Sequence, residues 1–154
     1  MVHLGPEIWE RIFEHAREDY PAECCGIVTR FDNEHCRVHR CENIQDRLHK
    51  SDPEAHPRTS KTAYRMDDMQ VHRILTETEK AGGQLTAFYH SHIDCGAYFS
   101  EEDRKAAMFL GEPTYPAVVY LVVSVVDGQV REQKGFGLDE GERGFVETPL
   151  EIGT

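Results

Sequence analysis

The sequence predicts an α/β fold in which a mixed β-sheet is packed between helices, and three observations carry that reading. Helix-like and strand-like segments alternate along the chain, which calls for crossover connections. Turn signals at Asp32-Asn33 and Asp127-Gly128 add hairpins, so the sheet holds antiparallel pairs as well. Residues 117–126 form an almost uninterrupted apolar run, rich in valine, of the length of a strand buried on both faces. At 154 residues the chain is the size of one domain, 1–154. Folding at that length buries on the order of 70% of the unfolded surface.

The first helix is expected over residues 6–20, with Pro6 at its start, Ile8, Trp9, Ile12, Phe13 and Ala16 at helical spacing, and Pro21 as the stop. Two strands follow at 24–31 and 36–44, joined as a hairpin. Residues 48–62 are polar, carry Pro53 and Pro57, and read as a mobile surface loop. A second helix spans 67–81, with Val71, Ile74, Leu75 and Thr78 on one face and Gly82-Gly83 ending it. A strand over 85–92, a loop over 93–99 and a third helix from Ser100 to about residue 110 come next. The apolar strand at 117–126, a strand from Gln129 to about Leu138 and an edge strand within 145–152 complete the sheet.

Bulk composition removes several function classes. Acidic residues number 28 against 17 lysines and arginines, a formal net charge of -11, which disfavours roles that neutralise phosphates on nucleic acid or on an anionic membrane. No apolar run approaches the roughly 18 to 20 residues of a membrane span. The opening residues lack the basic, apolar and small-residue pattern of an export signal, and five cysteines are an odd number, so reduced thiols and a cytoplasmic location are expected. Oligomeric state is not legible.

His90-Ser91-His92 ends a predicted strand, where residues two apart share a face, so both imidazoles can reach one point. Alone this is weak, because nine histidines in this length produce such pairs by chance. Seven residues later comes Ser100, and two more bring Asp103. A carboxylate in the first turn of the next helix completes a set of two nitrogens and one oxygen, which leaves a fourth tetrahedral position open for water, as in a catalytic zinc site. The same Ser-x-x-acid is also a capping box with no catalytic meaning. For Ser100 capping and catalysis are compatible, whereas for Asp103 they compete. Glu101 and Glu102 suit the positive end of the helix dipole and read as solvated. A metal hydrolase also needs a base, and Glu23 in Pro21-Ala22-Glu23-Cys24-Cys25-Gly26 is the candidate, against the plainer reading of a surface glutamate.

These residues resemble the JAMM motif of the MPN-domain metalloproteases, an upstream Glu followed by H-S-H, seven residues, Ser, two residues and Asp. The resemblance runs from the first helix to about Leu138, and the context of Glu23 is similar to that of small prokaryotic members. It implies a sheet between helices similar to the cytidine deaminases. It also implies zinc on His90, His92 and Asp103, proton transfer by Glu23, and polarisation of the scissile carbonyl by Ser100. The implied substrate is the C-terminal Gly-Gly of a ubiquitin-like or sulfur-carrier protein. Many relatives have proline after the second histidine and before the motif serine, where this chain has Ile93 and Phe99, which puts the shape of the loop and the role of Cys95 in question.

Other readings are weaker. Adjacent Cys24 and Cys25 face opposite ways on a strand and read as buried structural thiols. His35, Cys36, His39 and Cys41 suggest a second zinc site, yet Cys36 faces away from His39 and Cys41. Gly135-Phe136-Gly137 lacks the rest of a phosphate loop. A nucleobase deaminase needs H-x-E and P-C-x-x-C, which are missing. A non-catalytic MPN-type interaction module remains the principal alternative, and intact ligands argue against it.

Overall fold

The structure is a computed structural model that describes residues 2–32, 35–109, 112–139 and 144–152. A short strand β1 (Val2–Leu4) leads into α1 (Pro6–Asp19), whose Pro6 occupies the first turn, where a missing N-H leaves no bond unmade. Its Trp9, Ile12 and Ala16 are buried at helical spacing. Strands β2 (Cys25–Arg30) and β3 (Cys36–Cys41) pair antiparallel as the expected hairpin, although Asn33 of its turn lies outside the described residues. Helices α2 (Gln45–Ser51) and α3 (Asp68–Lys80) precede β4 (Gln84–Ile93). Then come α4 (Glu101–Ala106), the short pair β5 (Met108–Phe109) and β6 (Glu112–Pro113), and the strands β7 (Val119–Val126), β8 (Gln129–Asp139), β9 (Gly144–Thr148) and β10 (Leu150–Ile152).

Six strands form one sheet in the order β3-β2-β4-β7-β8-β9. The β4–β7 pair is parallel and its neighbours are antiparallel, so the sheet is mixed as expected. The two-residue alternation of β4 and β7 divides the core. Ala87, Tyr89, Leu121, Val123 and Val125 pack with Trp9, Ile12 and Ala16 of α1. Phe88, Tyr120 and Val122 face the other way, toward Ile74 of α3 and Ala107 after α4. Burial on both faces is what the apolar run at 117–126 requires. At the β7–β8 turn Asp127 and Gly128 take φ of 54° and 79°, the pair of positive values that a tight Asp-Gly hairpin demands.

Four boundaries differ from expectation. The third helix ends at Ala106, because Ala107 enters the core and Met108 packs against the same cluster; residue 110 lies outside the described set. The edge strand expected within 145–152 is two strands, β9 on β8 and β10 parallel to β1, separated by Pro149, which has no N-H for a ladder. Strand β1 is too short for periodicity to reveal. The first residues of the segment expected as loop at 48–62 belong to α2. That helix is polar enough to hide, with Gln45 its buried residue.

Gly26 lies under Tyr89. A Cβ there would come within 2.2 Å of the ring. Tyr89 has little freedom to move, since His15 Nδ1 lies 2.7 Å from its hydroxyl. Gly26→Ala is therefore expected to destabilise the protein by about 1 to 3 kcal/mol. Thermal unfolding should then begin several degrees lower, and an unchanged melting temperature would contradict this packing.

Candidate metal centre

The site gathers where β4 ends and the crossover to β7 begins, at the carboxyl end of a parallel pair. His90 and His92 share a face of β4. Asp103 comes to them from the first turn of α4, and one ligand atom from each of the three residues falls within 4.8 Å of the others. All three are buried, as is Glu23, with exposures between 1% and 6%.

Glu23 arrives by strand register. Cys25 pairs with His90, and the ladder continues outward as Ser91 N donates to Cys24 O at 3.1 Å and Cys24 N donates to Ser91 Oγ at 2.8 Å. The chain just before Cys24 is thereby laid beside His92. A cleft of about 190 Å³ is lined by Glu23, His92, Ser100 and Asp103 together. His90 lies deeper, stacked on Tyr64 with ring centroids 4.4 Å apart.

The expected competition for Asp103 does not arise. Its Oδ2 accepts from Ser100 N at 3.0 Å, while Ser100 Oγ accepts from Asp103 N at 3.0 Å, so the capping box is complete. The same Oδ2 lies 3.1 Å from Nε2 of both His90 and His92. Capping fixes the carboxylate where the imidazoles need it.

The donor set suits a divalent metal of zinc type. His92 Nδ1 donates to the Gly96 carbonyl at 3.0 Å, which fixes its tautomer and leaves Nε2 as the inward nitrogen. His90 Nε2 is buried and, despite its 3.1 Å approach to Asp103 Oδ2, lacks hydrogen-bond geometry. A metal ion would satisfy that orphaned atom. Desolvation lowers the pKa of His90. Desolvation acts the same way on His92, but the Asp103 hydrogen bond and charge outweigh it and its pKa rises. Desolvation likewise opposes charge on Asp103, and the nearby His90, with hydrogen bonds from His92 and Ser100, still holds its carboxyl far below the usual range.

The loop after β4 is pinned from several sides. Asp94 accepts from the Tyr20 hydroxyl at 3.0 Å and from Asp127 N at 2.9 Å, Ala97 N donates to Glu132 at 2.7 Å, and Ser124 Oγ donates to the Cys95 carbonyl. Phe99 is buried and stacked on Phe136 at 5.3 Å. With Ile93 and Phe99 in place of prolines, these contacts set the loop shape.

The structure brings His90, His92, Asp103, Glu23 and Ser100 together. His35, Cys36, His39 and Cys41 are not gathered, and among the described residues the histidine pair with Asp103 is the one group of such side chains close enough to share an ion. His39 instead pairs with Thr29 at 2.8 Å. All five cysteines are free. Cys24 and Cys25 are buried, and desolvation pushes the Cys24 thiol up to about 12 and that of Cys25 higher still, so neither serves as a thiolate near neutral pH. Tyr64, Tyr98, Arg58 and Lys61 also line the site or its neighbouring cavity. As single residues in loops they carried no signal.

Residues 6–134 match the family described as prokaryotic homologs of the JAB domain. The chain belongs to that family. This JAB-domain chain is 31% identical over 140 residues to a desampylase of Haloferax volcanii, covering 88% of each chain. Its fold is shared with a protein from Desulfitobacterium hafniense known in solution, at a TM-score of 0.71 and 23% identity, covering 99% of this chain and 92% of that one. A JAB1/MPN domain protein from Archaeoglobus fulgidus aligns at a TM-score of 0.55 and 14% identity, over 99% of this chain and 96% of that one. The JAB-domain match spans Glu23, His90, His92, Ser100 and Asp103 alike.

Burial makes Glu23 a pH-sensitive element of the metal-free protein. Desolvation raises its pKa from 4.5 to about 8, outweighing the opposing charges of His92 and Arg58. A carboxyl raised on folding favours the protonated native state, so its contribution is complete below 4.5 and is lost as pH climbs to about 8. The difference is at most a few kcal/mol. Metal-free Glu23→Gln, which cannot ionise there, should match the wild type in melting temperature at acid pH and exceed it above pH ~8. Parallel curves across that range would contradict burial of this group.

Proposed function

We propose that the protein is a zinc-dependent peptidase or isopeptidase that hydrolyses the amide following the C-terminal Gly-Gly of a ubiquitin-like or sulfur-carrier protein. The observation that carries this reading is the convergence of His90, His92 and Asp103 beside a buried Glu23 in one cleft. His90, His92 and Asp103 are the residues that would hold the metal. Zinc bound there supplies a Lewis acid that makes water nucleophilic near neutral pH.

The chain's own residues then divide the remaining work. Glu23 takes the proton from the attacking water on its carboxylate and delivers it to the departing amine. Its burial in the same cleft as His92, Ser100 and Asp103 keeps the carboxyl away from bulk water, so that a proton it takes up can be returned within the site. Ser100 Oγ accepts from Asp103 N, which leaves its own O-H to donate to the carbonyl oxygen as negative charge develops. His92 is oriented by Gly96, and Asp103 by the cap.

The Haloferax relative is named a desampylase, which supports a ubiquitin-like protein as the substrate. The cleft supports a slim tail, since at about 190 Å³ it admits an extended backbone and few bulky side chains. Among the described residues no helix is long and apolar enough to cross a membrane. The test is a comparison of three junctions: a sulfur-carrier fusion ending in Gly-Gly, the same fusion ending in Ala-Ala, and linear diubiquitin. Cleavage should favour the Gly-Gly sulfur-carrier fusion by roughly tenfold or more, about 1.4 kcal/mol of discrimination. Equal rates on all three, or on unfolded casein, would show a general peptidase.

A further inference from the structure

The catalytic cleft carries two cations with no place in the chemistry above. Arg58 and Lys61 line it along with Glu23, Ser100 and Asp103. Neither makes an ion pair among the described residues, although other exposed cations do, as Arg65 with Asp68 at 3.6 Å and Lys105 with Glu102 at 3.7 Å. Arg58 Nη1 donates to the Thr62 carbonyl at 3.3 Å, a single bond to backbone. Apart from its electrostatic influence on the buried Glu23, its charge has no carboxylate partner at ion-pair distance among the described residues.

Their position is fixed. Ser60, between them, is buried; its carbonyl accepts from Glu23 N at 2.7 Å, while its N and Oγ both donate to Asp46 at 2.7 Å. Gln45 Nε2 donates to the Arg58 carbonyl at 2.9 Å, and Asn43 Nδ2 bridges the carbonyls of Glu23 and Ala63 at 2.9 and 3.2 Å. The backbone that presents the two cations is thus bonded to the backbone of Glu23. The backbone of this rim is set in place before substrate arrives, so that only the two side chains are left to order on binding.

The charge pattern points the same way. Residues 45–65 hold five lysines and arginines against three acids, in a chain whose formal net charge is -11. The rest of the surface repels an acidic partner, and this segment attracts one. The cleft also continues outward: its lining shares Arg58, Thr62 and Asp103 with a neighbouring cavity of about 390 Å³ that reaches Arg65 and Lys105.

We infer that Arg58 and Lys61 are specificity residues that receive an aspartate or glutamate side chain of the substrate protein flanking the scissile amide. The inference rests on the peptidase reading and deepens it. Both cations are solvent-exposed in the free protein, where a charge pair is worth little, and closing substrate over them strengthens the pairing.

The experiment uses Gly-Gly fusions with Glu, Gln or Lys at successive positions on either side of the junction. Each is assayed for cleavage and, separately, for binding as a labelled tail to the zinc-loaded protein. At one or more positions Glu should exceed Gln by about tenfold in kcat/KM, mostly through KM, with the advantage shrinking as salt rises. In the double variant Arg58→Glu, Lys61→Glu the order should invert, Lys becoming the preferred residue. That inversion separates recognition from a purely structural or Glu23-tuning role, which would weaken all fusions alike. The same ranking of Glu, Gln and Lys in wild type and double variant, at every position, would overturn the inference. Charge-dependent binding with no hydrolysis of any fusion would instead leave it standing and overturn the peptidase reading.

Discussion

Glu23→Gln should keep the fold and the metal and lose about 10²-fold or more in turnover, because the amide can neither take nor return a proton. The substitution is close to isosteric, and Glu23 is outside the ligand group, so metal content is the internal control. Its main-chain bonds, from Glu23 N to Ser60 and from Asn43 to its carbonyl, do not depend on the side chain. The loss should therefore appear in kcat with KM little changed. Measured by steady-state cleavage of a Gly-Gly fusion, activity within a few-fold of wild type would remove Glu23 from the chemistry.

Asp103→Asn is expected to reduce activity further, since it removes the charged ligand and not only the proton shuttle. Asparagine retains a side-chain oxygen that can accept from Ser100 N, so the cap is largely kept and α4 need not unravel. What changes is the charge between two buried imidazoles. Zinc should then stabilise the wild type against heat and leave the variant almost unmoved. At a zinc level 100 times the dissociation constant the wild-type gain is about 2.7 kcal/mol. A variant that gains as much as wild type would place the metal elsewhere.

The parts of this site legible in the sequence are those built from local periodicity. His90 and His92 are one strand repeat apart, Ser100 and Asp103 are one helical turn apart, and short spacing fixes their geometry before tertiary structure matters. Glu23 is different. Its place beside His92 depends on the β2–β4 register, which a single sequence does not state, so the need for a base made it a candidate and the family resemblance gave that candidate its weight. Arg58 and Lys61 were hidden altogether, in a polar segment without period whose position depends on Ser60 bonding Glu23 and Asp46. For the fold, the long amphipathic and apolar segments were readable, as with α1, α3 and β7. The failures were short or interrupted elements: β1 of three residues, the Pro149 break, and α2, whose seven residues bury mostly polar surface.

The central claim is that hydrolysis depends on a metal held by His90, His92 and Asp103. Its most direct measurement follows one preparation of wild-type protein through elemental analysis and cleavage of a Gly-Gly fusion, as purified, after chelation, and after zinc is returned. Activity should fall with metal content to near background and recover as about one zinc per chain is restored, while Asp103→Asn stays inactive throughout. Full cleavage by protein that elemental analysis finds free of metal would contradict the account.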